Sequence, residues 1–165
     1  QKWRLITASM FPGSFTAGKR GRFRPLKYSR NTSKPERRLR ICPGGSHRGR
    51  ELLVEKARGG VAWLTFEELC QRPLGAGDYL ELARLFDTIL LQDIPQMGPA
   101  MRNEARRFVT LIDTLYDHHV KLICTAEVPP EQLYTEGDFS FEFERTVSRL
   151  HEMQSAEYLG SRHDL

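Results

Sequence analysis

No run in the sequence approaches the roughly 18 apolar residues that a membrane span needs. The opening QKWRLITASMF has too short an apolar stretch, and no clear cleavage site, for a signal peptide. Position 1 is Gln rather than an initiator Met, which points to an incomplete chain. Cysteine is scarce: Cys42, Cys70 and Cys124 are odd in number and far apart. That usage excludes a disulfide framework and metal-ligand spacing, and fits a reducing cytoplasm. Acid is scarce at one end only. Residues 1–60 carry 16 Lys and Arg against 3 Asp and Glu, a balance of +13. The rest carries 9 against 18, a balance of −9, so the net +4 hides two physically different halves.

Residues 1 to about 46 are rich in Gly, Pro, Ser and Arg and have little hydrophobic periodicity. Such a stretch buries too little apolar area to offset the entropy of ordering it, so a basic, poorly ordered leader is expected. Its charge would suit a nucleic-acid or anionic-membrane arm. Its aromatic residues are not interleaved as stacking platforms, however, so nucleic acid is not an expected partner. Within it lies PGSFTAGKRG, in which Gly13, Gly18 and Lys19 satisfy G-x-x-x-x-G-K. A working P-loop continues with Ser or Thr to hold magnesium, and it sits between a buried strand and a helix. Leu5 to Met10 could pass for the strand. Position 20 is Arg, and RGRFRPLKYSRN after Lys19 is a poor helix start. The motif therefore reads as a decoy.

From Gly49 the texture changes. Residues 51–55 and 61–64 are apolar runs around Ala57-Arg-Gly-Gly60, a β-hairpin pattern. Thr65-x-x-Glu68 reads as a capping box opening a short helix through Cys70, which Arg72-Pro-Leu-Gly75 ends. Asp78-x-x-Glu81 reads as the cap of a helix to about Phe86 that buries Leu80, Ala83 and Leu85. Thr88–Ile94 has strand character and is closed by Pro95. A helix from Pro99 to about His118 follows, with Met101, Ala105, Phe108, Ile112 and Leu115 on one stripe, widened by Val109 and Tyr116. Val120–Ala126 is a second buried-type strand. Strand, helix and strand imply a right-handed βαβ crossover with parallel pairing. Residues 141–158 read as one last helix, buried through Phe143, Val147 and Leu150. The expected fold class is α/β: a β-hairpin plus a βαβ unit with packed helices.

The stretches RNEARRFVTLIDTLYD at 102–117, VKLICTAEVPPEQLY at 120–134 and FEFERTVSRLHEMQSAEYL at 141–159 carry a resemblance, which WLTFEELCQRPLGAGDYLELARLFDTILLQDIP at 63–95 extends. They resemble the C-terminal portion of the ZapE family, AAA+-related P-loop ATPases of cell division with AFG-type mitochondrial relatives. The resemblance spans about 49–160 and none of 1–46. It implies the C-terminal part of a P-loop ATPase fold, with domains 1–46 (leader), 47–160 (ZapE-like α/β region) and 161–165 (tail). It also implies a cytoplasmic parent, peripheral at the division site, that hydrolyses ATP with magnesium and meets FtsZ or other division-ring proteins. The family's P-loop, Walker B acids and principal sensor strand lie N-terminal of the matched part. The chain alone is thus expected to hold no cofactor and to be non-catalytic, working instead by packing against an N-terminal ATPase core or by self-association. The alternative is a non-enzymatic binding module with a basic nucleic-acid or anionic-lipid arm.

Few residues offer chemistry. Asp93 ends an apolar strand, as a Walker B acid does, but Ile94 stands where the second acid would. Thr125 and Glu127 stand at a strand's C-terminal end, where polar groups can reach a phosphate. Arg145 and Arg149, four apart, share a helix face and could stabilise phosphoryl charge across a subunit boundary. The plainer reading pairs them with Glu142 and Glu152 on a solvated face, and Arg106 and Arg107 with Glu104 in the same way. His118 and His119 suit a helix C-terminus and lack further metal ligands.

Overall fold

The computed structural model describes residues 4–7, 39–41, 52–137 and 140–161. Gly13, Gly18 and Lys19 lie outside the described residues, as does most of the basic leader. Two pieces of that leader form strands: β1 (Arg4–Thr7) and β2 (Leu39–Ile41). Each strand finds backbone partners elsewhere in the chain, so local periodicity was not needed to order it.

The hairpin forms, but with a different first strand. β3 (Leu52–Val54) pairs antiparallel with β2 in a separate two-stranded sheet. It is β4 (Lys56–Arg58) that pairs with β5 (Val61–Thr65). The reason is the turn. Gly59 and Gly60 have φ of 55° and 80°, and a two-residue turn with positive φ at both positions forces the flanking residues to pair. Arg58 then faces Val61, and the more apolar Leu52–Val54 is left four residues too far back.

Beyond β5 the capping box closes as expected. Thr65 N–H donates to Glu68 Oε2 at 2.8 Å, and Glu68 N–H donates to Thr65 Oγ1 at 3.2 Å. The helix it opens is one wide π-type turn, Glu67–Gln71. Two of its carbonyls are taken by outside donors: Tyr79 Oη donates to Leu69 O at 2.7 Å and Arg107 Nη1 to Cys70 O at 2.9 Å. α1 (Ala76–Leu85) begins two residues before Asp78. Asp78 sits inside the first turn and reaches back, its Oδ2 accepting from Gly75 N–H at 2.7 Å. This shift rotates the buried stripe to Tyr79, Leu82 and Ala83, with Leu85 exposed.

β6 (Thr88–Ile94) and β7 (Lys121–Ala126) lie within a residue of their expected bounds. Between them runs α2 (Arg102–Asp117), preceded by a 3-10 turn at Pro99–Met101. β5, β6 and β7 are parallel neighbours, and the five-stranded sheet runs β1-β7-β6-β5-β4 with antiparallel β1 and β4 at its edges. The expected last helix is two: α3 (Ser140–Glu152) and α4 (Ala156–Gly160). Ser155 starts the second by accepting from Tyr158 N–H at 3.1 Å, the hydrogen bond of an N-cap. On α3, Phe143, Thr146 and Leu150 are buried, while Val147 only packs against the core.

One sheet face and the helices make the core. Ala62, Leu64, Ile89, Leu91, Leu122, Cys124 and Ala126 alternate inward and are at most 2% exposed. α2 is buried on a broad stripe that includes Leu111, absent from the expected set, because α1 and α3 flank it while the sheet lies beneath. Phe108 joins the layers, its ring 6.1 Å from Phe66 and 6.0 Å from Phe143.

Candidate functional site

In an open α/β sheet, ligands bind outside the carboxyl ends of the strands. Here that edge carries the ends of β6 and β7: Asp93, Thr125 and Glu127. Asp93 is exposed and has φ of 61°, in the left-handed region that non-glycine residues rarely occupy. It lies in a register break between Leu91 and Ile94, a bulge that re-aims the end of the strand. Its N–H donates to Thr125 Oγ1 at 3.1 Å. Glu127 Oε2 accepts from Gln96 N–H at 3.1 Å, and Glu127 N–H donates to Ile94 O at 2.9 Å. Gln96 Nε2 donates to Gln132 O at 3.1 Å, and Met97 N–H to Leu133 O at 2.7 Å. The loops leaving β6 and β7 are therefore laced together. The side-chain groups of Thr125 and Glu127 satisfy backbone N–H groups that the bulge leaves outside the ladder.

A magnesium–nucleotide complex asks for carboxylates free to order the ion and for donors aimed at phosphate. Of the two carboxylates at this edge, Glu127 caps Gln96 and Asp93 is exposed. Among the described residues, no group of three or more His, Cys, Asp and Glu could hold a metal ion. Thr125 and Glu127 are engaged in capping backbone N–H groups.

β1 runs the other way. β1 is antiparallel to β7, with Arg4 opposite Ala126 and Thr7 opposite Ile123. β1 thus ends, at Thr7, beside the amino-terminal half of β7 and away from Asp93 and Thr125.

Arg145 and Arg149 are brought together, on α3, but their partners differ from those expected. Both reach across to Asp113 on α2. Arg149 also meets Asp117 at 3.5 Å and lies over the Tyr116 ring, 4.8 Å from its centroid. Arg149 and Asp113 side chains are 21% and 22% exposed, whereas Arg145 is 63% exposed. Glu152 serves Tyr116 instead. Its carboxylate hydrogen-bonds the phenol and, with burial and its charge, raises the phenol's pKa. Asp113 is the residue that sequence reasoning missed. The signal was present: acids at 113 and 117 match arginines at 145 and 149 in spacing, so two helix faces can interlock.

Arg107 holds the Cys70 carbonyl rather than Glu104. Together with Asn103, Arg106 and Thr110 on α2, it lines a cleft of about 360 Å³ against the start of α1 at Leu74–Ala76. His118 caps α2, its N–H donating to Thr114 O at 3.3 Å. His119 follows with φ of 53°, its ring 5.7 Å from that of Tyr158. Tyr158 Oη lies 3.1 Å from both Leu115 O and Val120 O, tying α4 to the end of α2 and the start of β7. Both described cysteines are buried and unbridged. Burial pushes the Cys124 thiol up to about 12 and that of Cys70 higher still, against an ordinary value of 9.0.

These elements define a mixed α/β protein built on parallel strands, its strand-end loops closed on themselves. The family whose residues it carries is that of the AFG1-like ATPases, which matches positions 33–162, and the chain belongs to that family. It is similar to Lactation elevated protein 1 homolog B of Danio rerio, 37% identical over 142 residues that cover 67% of this chain and 28% of the relative. It is also similar to Cell division protein ZapE of Escherichia coli (strain K12), 47% identical over 100 residues that cover 61% of this chain and 27% of the relative. The chain thus spans little more than a quarter of the length of these relatives. No solved structure matches it. Among the described residues, no helix is long and apolar enough to cross a membrane.

Proposed function

We propose that this chain is the C-terminal α/β portion of a cell-division ATPase, and that it does not hydrolyse ATP by itself. On this reading ATP and magnesium belong to the intact parent, and the chain spans only 27% to 28% of its relatives' length, which leaves room for the hydrolytic machinery elsewhere in such a parent. The observation that carries the reading is the laced strand-end edge, where Thr125 and Glu127 cap backbone N–H groups. The direction of β1 supports it, because a P-loop following that strand would start at the wrong end of the sheet. Neither Arg145 nor Arg149 is given a catalytic role, since both are tied to Asp113. The E. coli relative's own name, Cell division protein ZapE, supports a cell-division setting; a place at the division site, with FtsZ or other ring proteins as partners of the assembled parent, is part of the proposal and comes from the family resemblance.

The test is phosphate release from ATP and magnesium by the 165-residue chain. The expected result is background. Steady release that Lys19→Ala abolishes would overturn the reading and restore the motif at 13–19. A second reading, a binding module with a basic arm, is favoured by the +13 balance of residues 1–60. It predicts salt-dependent retention of nucleic acid or anionic vesicles that is lost when residues 1–46 are removed.

A further inference from the structure

β5, α1, β6, α2 and β7 follow one another in sequence, and the three strands are neighbours in that same order. Both crossovers therefore step the same way across the sheet. With the right hand that parallel crossovers take, two steps in one direction put both helices on one face. A doubly wound sheet covers its second face by reversing direction. This one does not reverse, because its edges are the antiparallel strands β1 and β4.

The second face is therefore without a described helix, and its residues are graded in exposure. Every inward residue of β5–β7 is buried, whereas every outward one is half-buried or exposed. The register puts Lys56 opposite Trp63, Trp63 opposite Leu90, and Leu90 opposite Ile123. A row with an apolar centre thus crosses the sheet. Trp63 is 42% exposed, and the Lys56 ammonium lies 5.6 Å from its ring centroid. The flanking rows are mostly polar: Thr65, Gln92 and Thr125 toward one end, and Thr88 and Lys121, with Val61 beside Thr88, toward the other. An apolar centre with a polar rim is the anatomy of an interface. All-parallel sheets occur almost only with both faces covered, and the three central strands here are parallel.

We infer that this outer face, centred on Trp63, Leu90 and Ile123, is where the rest of an AFG1-like ATPase chain packs, laying a helical layer on the sheet. The inference rests on the proposed reading of the chain as an ATPase portion. The occupant follows from length. The chain spans 27% to 28% of its relatives, so most of a family chain must find a surface, and the inner face is already taken.

Hydroxyl-radical footprinting with mass spectrometry tests this without a substitution. In the 165-residue chain, Trp63, Leu90 and Ile123 should oxidise readily, at rates independent of concentration from about 1 to 100 µM. Protection that grows with concentration would mean a second copy covers the face, and would overturn the inference. The second sample is full-length E. coli ZapE in which the 100-residue stretch of this chain that aligns with it replaces the matching segment. There Trp63 should oxidise at least about fivefold more slowly, as expected of an interface core. Phe141, 80% exposed on α3, is the internal reference. Equal oxidation of Trp63 in both samples would refute the packing. Should the chimaera fail to fold, the unmodified E. coli protein decides the question at the residues aligned with these three: protection there supports the packing, and ready oxidation refutes it. ATP hydrolysis by the isolated chain would instead refute the parent reading, whatever the footprint shows.

Discussion

Arg149 and Arg145 share a partner, Asp113, yet they should differ several-fold in what they contribute to stability. Exposed ion pairs are worth about 0.2–1 kcal/mol, while removing one member of a buried pair costs about 3–5 kcal/mol. Arg149 and Asp113, at 21% and 22% exposure, stand between these limits, so their coupling should be about 2 kcal/mol. Stacking of the guanidinium on Tyr116 adds about 1 kcal/mol that belongs to Arg149 alone. Arg149→Ala should therefore cost about 3 kcal/mol and Arg145→Ala, at 63% exposure, less than about 1. With a urea slope of about 1.5 kcal/mol per M for a chain of this size, the two midpoints should lie more than about 1 M apart. Double-mutant cycles with Asp113→Ala isolate the pair terms: about 2 kcal/mol for Arg149 and under about 0.5 for Arg145. Raising NaCl to about 0.5 M should erase the smaller coupling and leave most of the larger. A coupling below about 0.5 kcal/mol for Arg149, or one equal to that of Arg145, would show that burial does not set these energies.

Three further outcomes are expected. Gly60→Ala should destabilise by about 1–2 kcal/mol in thermal or urea melts, because φ of 80° strains any L side chain and the new Cβ would run into Asp87 Oδ2. Gly59→Asn, at φ of 55° in open space, should stay within about 0.5. Asp93→Gly should hold or raise stability by up to about 1 kcal/mol by relieving left-handed strain; a loss would mean that the carboxylate contributes at the strand end. Stability should fall above about pH 9. Burial raises the thiol pKa of Cys70 and Cys124, so their contribution is complete below the unfolded value of 9.0 and drains as pH climbs through the folded values. Each thiol adds a slope of up to about 1.4 kcal/mol per pH unit, which a Cys70→Ala, Cys124→Ala variant should lack in urea midpoints between pH 9 and 10.

What was legible in the sequence was what short-range pattern determines. β6, α2 and β7 came through because their apolar residues keep one period over a full element and prolines close the ends. The hairpin was placed one strand wrong. Hydrophobicity favoured Leu52–Val54, while the Gly-Gly turn gave the pairing to Lys56–Arg58, and turn geometry outranks apolar content in fixing register. Asp78 misled because an acid near a helix start can stand at the cap or three residues inside it, reaching back. The single helix expected over 141–158 hid Ser155, which resembles any surface serine until its hydroxyl is seen capping α4. The site was less legible than the fold. Thr125 and Glu127 were rightly placed at a strand end, but their attachment to residues about thirty positions upstream has no local signature. Asp113 could have been found only by matching the four-residue spacing of two acids to that of two arginines far along the chain.

The shortness of β4 bears on how the protein behaves when concentrated. A sheet margin with unspent N–H and C=O groups can template a foreign strand, the first step toward fibrils. Here that margin is three residues long, ends at a tight glycine turn, and places Lys56 and Arg58 two apart. An incoming strand would gain few backbone bonds before meeting cationic side chains. Growth of cross-β stacks from this margin should accordingly be slow, and lengthening β4 with uncharged β-branched residues should hasten it.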